Sequence, residues 1–238
     1  MPDVRLILLH GTQLNSAQWL GYADLLGPRI ELVTPDLPAH GIRRDEPFTW
    51  ESTMALVDAA VAGTDLPVVL GGHSLGGYLA AAYAADHLTR LAGLALLGAA
   101  GEPGGMGSAS YRTIARINRR LGPARMTRIL DFDLRKLGTP PAMADALLAR
   151  GYAFDGVTPA WSLIMEKCSS SQLAEVTCPI LLCAGQFDQL RMHTRRYAAA
   201  ARSSSDVRVV TIPRASHAFP LTHAGQTAAE LRRLCRVE

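Results

Sequence analysis

Three residues carry the chemistry that this sequence suggests. Ser74 stands inside "GGHSLGG", Asp188 follows "CPILLCAGQF", and His217 closes "VRVVTIPRAS". A serine hydroxyl is a weak nucleophile and needs a base oriented by a third group. The order serine, acid, histidine along the chain suits acyl transfer on a strand-and-helix scaffold. Gly72-His73-Ser74-Leu75-Gly76 fits G-x-S-x-G between an apolar run and an alanine-rich run. A strand turning straight into a helix strains the corner residue, and its neighbours two positions away must be glycine. A tetrahedral oxyanion also needs two fixed N–H donors. Leu75 N–H supplies one by position. His10-Gly11 turns the backbone so that Thr12 N–H supplies the other, with Gln13 as a substitute donor.

Other candidates have plainer readings. His73 reads as a packed elbow residue whose side chain points away from Ser74. His223 reads as part of the final helix or its start. Glu102, after the fourth apolar run, is the alternative acid. Trp19 packs beneath the loop after the first run, and Asp36 and His40 structure their own loop.

The elements that must hold these residues are legible as six apolar, β-branched-rich runs: Val4 to Leu9, Ile30 to Val33, Pro67 to Leu70, Leu91 to Leu97, Pro179 to Cys183 and Val207 to Ile212. They are apolar almost throughout, as strands of a parallel sheet buried on both faces are. Helical patterns lie between them over Glu51 to Val61, Gly76 to His87 and Ala224 to Leu234. The class is α/β with right-handed crossovers, and both triad partners fall at strand ends, where ligands collect in open α/β sheets. From Gly101 to Val176 no strong strand appears. Ile114, Ile117 and Leu121 share a helical face, and Ala142 to Arg150 continues it. The division is a core of residues 1–100 and 177–238 with a helical insertion over 101–176, opening on the glycine-rich hinge "GEPGGMGS".

Bulk properties narrow the function. The chain has 238 residues, 48% apolar, with a formal net charge of +3. That charge is too small to imply nucleic acid or a membrane surface. No stretch reaches the roughly 18 apolar residues of a membrane span, and the start has no leader pattern. Four cysteines in a chain this long do not form a disulfide framework, and Cys178 and Cys183 have the wrong spacing for a zinc knuckle. Reduced core thiols and a cytoplasmic location are the expectation.

The pieces "LLHGTQLNSAQW", "TPDLPAHG", "GGHSLGG", "LLCAGQFD" and "ASHAF" together resemble the α/β-hydrolase superfamily, and within it the small single-domain esterase, perhydrolase and C–C hydrolase group. The resemblance implies an α/β-hydrolase fold of about six mostly parallel strands flanked by helices. It implies Ser74 as nucleophile, Asp188 as acid, His217 as base, Thr12 and Leu75 as oxyanion hole, and residues 101–176 as a cap over the site. Two departures stand out. The chain begins at the counterpart of the family's third strand, which puts a sheet edge near the amino terminus. Ala39 stands where glycine is common, so an ordinary backbone is expected there.

The reaction expected is hydrolysis of a small-molecule carboxylic ester, lactone or thioester through an acyl-enzyme, with no metal or organic cofactor required. The alternatives are C–C bond hydrolysis or lyase chemistry on the same triad, or a non-catalytic ligand-binding or receptor protein. Substrate choice falls to the insertion. Met106, Tyr111, Met126, Phe132, Met143, Tyr152, Phe154, Trp161 and Met165 supply its apolar surface. Arg112, Arg116, Arg119, Arg120, Arg125 and Arg128 form either a solvated face or a dock for an anionic substrate handle.

Overall fold

The computed structural model describes residues 1–104 and 120–237. Met106, Tyr111, Arg112, Ile114, Arg116, Ile117 and Arg119 lie outside the described residues. Six strands form one parallel sheet: β1 (Val4–Leu9), β2 (Ile30–Val33), β3 (Val68–His73), β4 (Gly93–Leu97), β5 (Ile180–Gly185) and β6 (Val207–Ile212), in the order β2-β1-β3-β4-β5-β6. The edge nearest the amino terminus is therefore β2, with β1 inside the sheet. The described helices are α1 (Tyr22–Leu26), α2 (Trp50–Ala62), α3 (Leu75–Asp86), α4 (Pro123–Lys136), α5 (Pro141–Arg150), α6 (Val157–Lys167), α7 (Thr194–Ala200), α8 (Phe219–Thr222) and α9 (Ala224–Leu234).

The apolar runs are continuous because each strand serves two cores. Ile7 and Leu9 join Leu70, Leu96 and Leu182 on one face, with α2, α3, α6 and α7 over them. Leu6 and Leu8 join Leu97 and Leu181 on the other, where Trp19, Tyr22 and Leu231 cover them. Trp19 is thus a core residue, as the sequence suggests. α3 is buried almost all round, and its alanines let it lie close to the sheet. A third, smaller cluster joins Leu134 of α4 and Met143 and Leu147 of α5 to Leu14, Ala17 and Leu221 beside the strand ends. The four cysteines are free and buried, and burial pushes their thiols up to about 11 or 12. No helix among the described residues is long and apolar enough to cross a membrane.

Two local expectations need correction. β3 runs three residues past Leu70, through Gly71 and Gly72 to His73, because both glycines pair in the ladder with β1 and β4. Ala39 takes φ 62, in the left-handed region. Its loop is held by neighbours: Ala39 N–H donates to the Arg43 carbonyl, His40 N–H to Leu37, and Asp36 accepts from the N–H groups of Ser16 and Ile42. Alanine has the smallest side chain that bears a Cβ, and these bonds hold it there.

Candidate active site

Ser74 is the single residue between β3 and α3, with φ 54 and ψ −116. Its N–H donates to the Leu97 carbonyl at the end of β4 (2.8 Å), and its carbonyl accepts from Gly77 and Tyr78. The glycines around it are required sterically. A Cβ on Gly72 would lie 2.2 Å from the Gly76 carbonyl carbon, and one on Gly76 would lie 2.4 Å from the Leu9 oxygen. Strain of this kind costs on the order of 1–3 kcal/mol and persists only where the surroundings hold it.

β5 ends at Gly185, and the turn after it delivers Asp188, which is 2% exposed. Asp188 Oδ1 accepts from Leu190 N–H (2.8 Å) and from His217 Nδ1 (2.9 Å). Burial pushes this carboxyl up, but the His217 bond and the Leu190 N–H prevail and hold it below the usual carboxylate range. A proton on His217 Nδ1 leaves Nε2 as an acceptor. His217 sits in the loop after β6, which is tied to the Asp188 turn by Phe187 N–H to the Ala215 carbonyl (2.9 Å).

Behind the pair lies Gly98, at φ 61 just past β4. A Cβ there would stand 2.8 Å from Asp188 Oδ2 and 3.1 Å from the His217 ring. The sequence reading passed over Gly98; its signal was a glycine directly after the fourth apolar run. The turn after β1 is fixed by its neighbours. Gly11 N–H donates to Gln18 Oε1 (2.9 Å), and His10 Nδ1–H donates to the Gly11 carbonyl (3.0 Å) while its Nε2 accepts from Leu37 N–H. Burial and the nearby His40 push His10 down to about 3. Gln13 has φ 67 and its carbonyl takes Ala153 N–H (3.0 Å).

Ser74, His217, Thr12 and Gln13 line one cavity of about 390 Å³, together with Leu14, Leu130, Leu134, Leu137, Trp161, Leu190 and Leu221. Leu75 N–H is the first of α3, where helical donors have no partner inside the helix. Its position at a helix N-terminus favours negative charge. A serine, an imidazole held by a buried carboxylate, and backbone donors beside an apolar cavity are equipped for nucleophilic acyl transfer.

The remaining candidates are placed elsewhere. Glu102 accepts from Ser170 N–H (3.1 Å) and meets Arg196 (3.3 Å), and Asp188 rather than Glu102 bonds His217. His223 stands at the N-cap position of α9, its Nδ1 2.8 Å from Thr222 Oγ1. His73 is buried, as expected, but its ring meets the His217 ring at 4.7 Å and it lines the same cavity. Among the insertion's apolar residues Trp161 lines the cavity, Met143 is buried between α5 and its neighbours, and Phe132 is exposed. Arg120, Arg125 and Arg128 are exposed.

Comparison with known proteins adds four findings. A family model described as "Alpha/beta hydrolase family" matches residues 6–230. The pimeloyl-[acyl-carrier protein] methyl ester esterase of Xanthomonas oryzae pv. oryzae is 30% identical over 242 residues, covering 96% of this chain and 93% of the relative. The enzyme of the same name from Chromobacterium violaceum is 29% identical, over 93% of this chain and 89% of the relative. Among solved structures, a thermophilic esterase from Thermogutta terrifontis superposes with a TM-score of 0.76 at 25% identity, over 99% of this chain and 90% of that one.

Proposed function

Because this chain belongs to the alpha/beta hydrolase family, we propose that it is a serine hydrolase that cleaves a carboxylic ester through an acyl-enzyme on Ser74. One observation carries the reading. The buried Asp188 holds His217 at 2.9 Å beside the strained Ser74, on the wall of an apolar cavity. In this mechanism His217 Nε2 takes the Ser74 proton as Oγ attacks the ester carbonyl. Asp188 fixes the imidazole tautomer and stabilises its cation. The N–H groups of Thr12 and Leu75 receive the oxyanion. His217 then protonates the departing alcohol, and water repeats the sequence to release the acid.

For the substrate we propose an ester with an extended apolar acyl chain and a small alcohol. The leucine-lined cavity suits the chain, and the relatives described above are named for a methyl ester of a carrier-bound acyl group. Residues 101–176 act as a cap in this reading, since Leu130, Leu134 and Leu137 of that segment line the cavity.

The test is intact mass after exposure to a fluorophosphonate, with turnover of activated short- and long-chain esters alongside. The expected result is one adduct on the native chain and none on Ser74→Ala, with kcat/KM lowered about ten-thousand-fold or more. An adduct that survives in Ser74→Ala, or a labelled native enzyme that turns over no ester, overturns the proposal.

A further inference from the structure

We infer that His73 is a positioning residue for the imidazole of His217, holding it through the main chain and from one face of the ring. The inference rests on the reading of His217 as the base. His73 Nε2 lies 2.9 Å from the His217 carbonyl oxygen. A carbonyl only accepts, so the proton is on His73 Nε2 and its Nδ1 is bare. That assignment agrees with Nδ1 having no hydrogen-bond partner although it is buried. Among the described residues the His217 carbonyl accepts no other hydrogen bond. The residue that must aim Nε2 at Ser74 therefore has its peptide oxygen tied to a side chain 144 positions earlier.

The ring contact acts in the same sense. The two imidazoles lie 4.7 Å apart, tilted by 39°. His73 cannot retreat from this contact. Phe219 stands edge-on to its ring at 6.2 Å, and a Cβ on Gly11 would come within 2.8 Å of His73 Nδ1. Its position directly before Ser74 couples it to the nucleophile, so one rigid element carries both Ser74 and the support of its base.

His73 serves this role only while neutral, because a cation there would repel the imidazolium that forms on His217. Burial, with His217 beside it, pushes His73 down to about 3. The titratable groups facing it are His217 from the loop after β6, Asp188 from the turn after β5 and His10 from the turn after β1. Asp188 alone among them favours a charge on His73, and burial outweighs it.

Two measurements test the inference. On the native protein, long-range proton–nitrogen spectra of the imidazoles should show His73 as the Nε2–H tautomer, unchanged between about pH 5 and 8. A His73 that titrates in that range, or carries its proton on Nδ1, overturns the inference. The second is a pair of variants. His73→Phe keeps a ring and removes the donor; His73→Gln places an amide N–H near the Nε2 position. His73→Phe is expected to lower kcat by about 10- to 100-fold with KM little changed, as a small misplacement of the base would. His73→Gln should recover most of that loss. Unchanged kcat in His73→Phe, or equal losses in both variants, overturns the inference. Should the native enzyme take no fluorophosphonate label, the hydrolase reading fails instead; the tautomer measurement still reports the His73–His217 contact.

Discussion

Asp188 is a carboxylate almost wholly removed from water, and one of its two oxygens has no hydrogen-bond partner. Such a group is costly unless something uses its charge. The geometry answers with His217, whose Nδ1 lies 2.9 Å from the other oxygen. Asp188→Asn keeps the shape but offers an amide that can stabilise the opposite tautomer. We expect kcat to fall on the order of ten-thousand-fold, while Glu102→Gln, whose partners are Ser170 and Arg196, leaves it within a few-fold. Steady-state rates on one activated ester compare the two, and a larger loss in the Glu102 variant would move the acid there. At this scale the sequence was readable where residue type and chain order coincide, as for Ser74, Asp188 and His217. For His73 it gave only a packed elbow position, because the partner that singles it out lies 144 residues away. Gly98 went unnoticed because its reason is a side chain from another strand end.

The strand–turn–helix around Ser74 is an element whose sequence is dictated by contact distances. Gly76→Ala would set a Cβ 2.4 Å from the Leu9 carbonyl oxygen, a backbone atom that cannot turn aside. A loss of more than about 3 kcal/mol is expected from the denaturation midpoint. Gly225, in the first turn of α9 with nothing near its missing Cβ, is the contrast. There alanine should be neutral or stabilising by up to about 1 kcal/mol. Equal effects at the two positions would sink the steric argument. The elements themselves were legible because burial on two faces leaves unbroken apolar runs, and all six strands and α9 lie where those runs are. Boundaries were less so. The third apolar run ends at Leu70, yet β3 includes Gly71 and Gly72, which pair with β1 and β4 where neighbours leave no room for a side chain. Ala39 was misread for a related reason: its φ is imposed by loop bonds that no local pattern announces.

Across the whole molecule, three histidines are buried without charge. Burial holds His10 and His73 at about 3, and His40 below its ordinary value. The unfolded chain takes up protons at these positions below about pH 6.5, while the folded chain does not. The unfolded state then binds more protons, so stability falls as pH drops from about 6.5 towards 3, each histidine contributing up to about 1.4 kcal/mol per pH unit. Asp36 and Asp188, both held below the usual carboxylate range, add their loss only lower, under about pH 4. Denaturant midpoints measured between pH 7 and pH 5 should therefore slope downward with acid; a flat profile would contradict the burial of these rings.

The strand order has a consequence for how the protein comes into being. The elbow belongs to the first hundred residues, on a central strand paired with β1 and β4. His217 and Asp188, the proposed base and acid, arrive only with β5 and β6, which add to one side of that strand after the intervening helices have been made. Long-range parallel pairing of this kind closes late. During synthesis, then, the chain carries its serine for more than a hundred residues with nothing to activate it. In the proposed mechanism, reactivity is acquired only once β5 and β6 have joined the sheet.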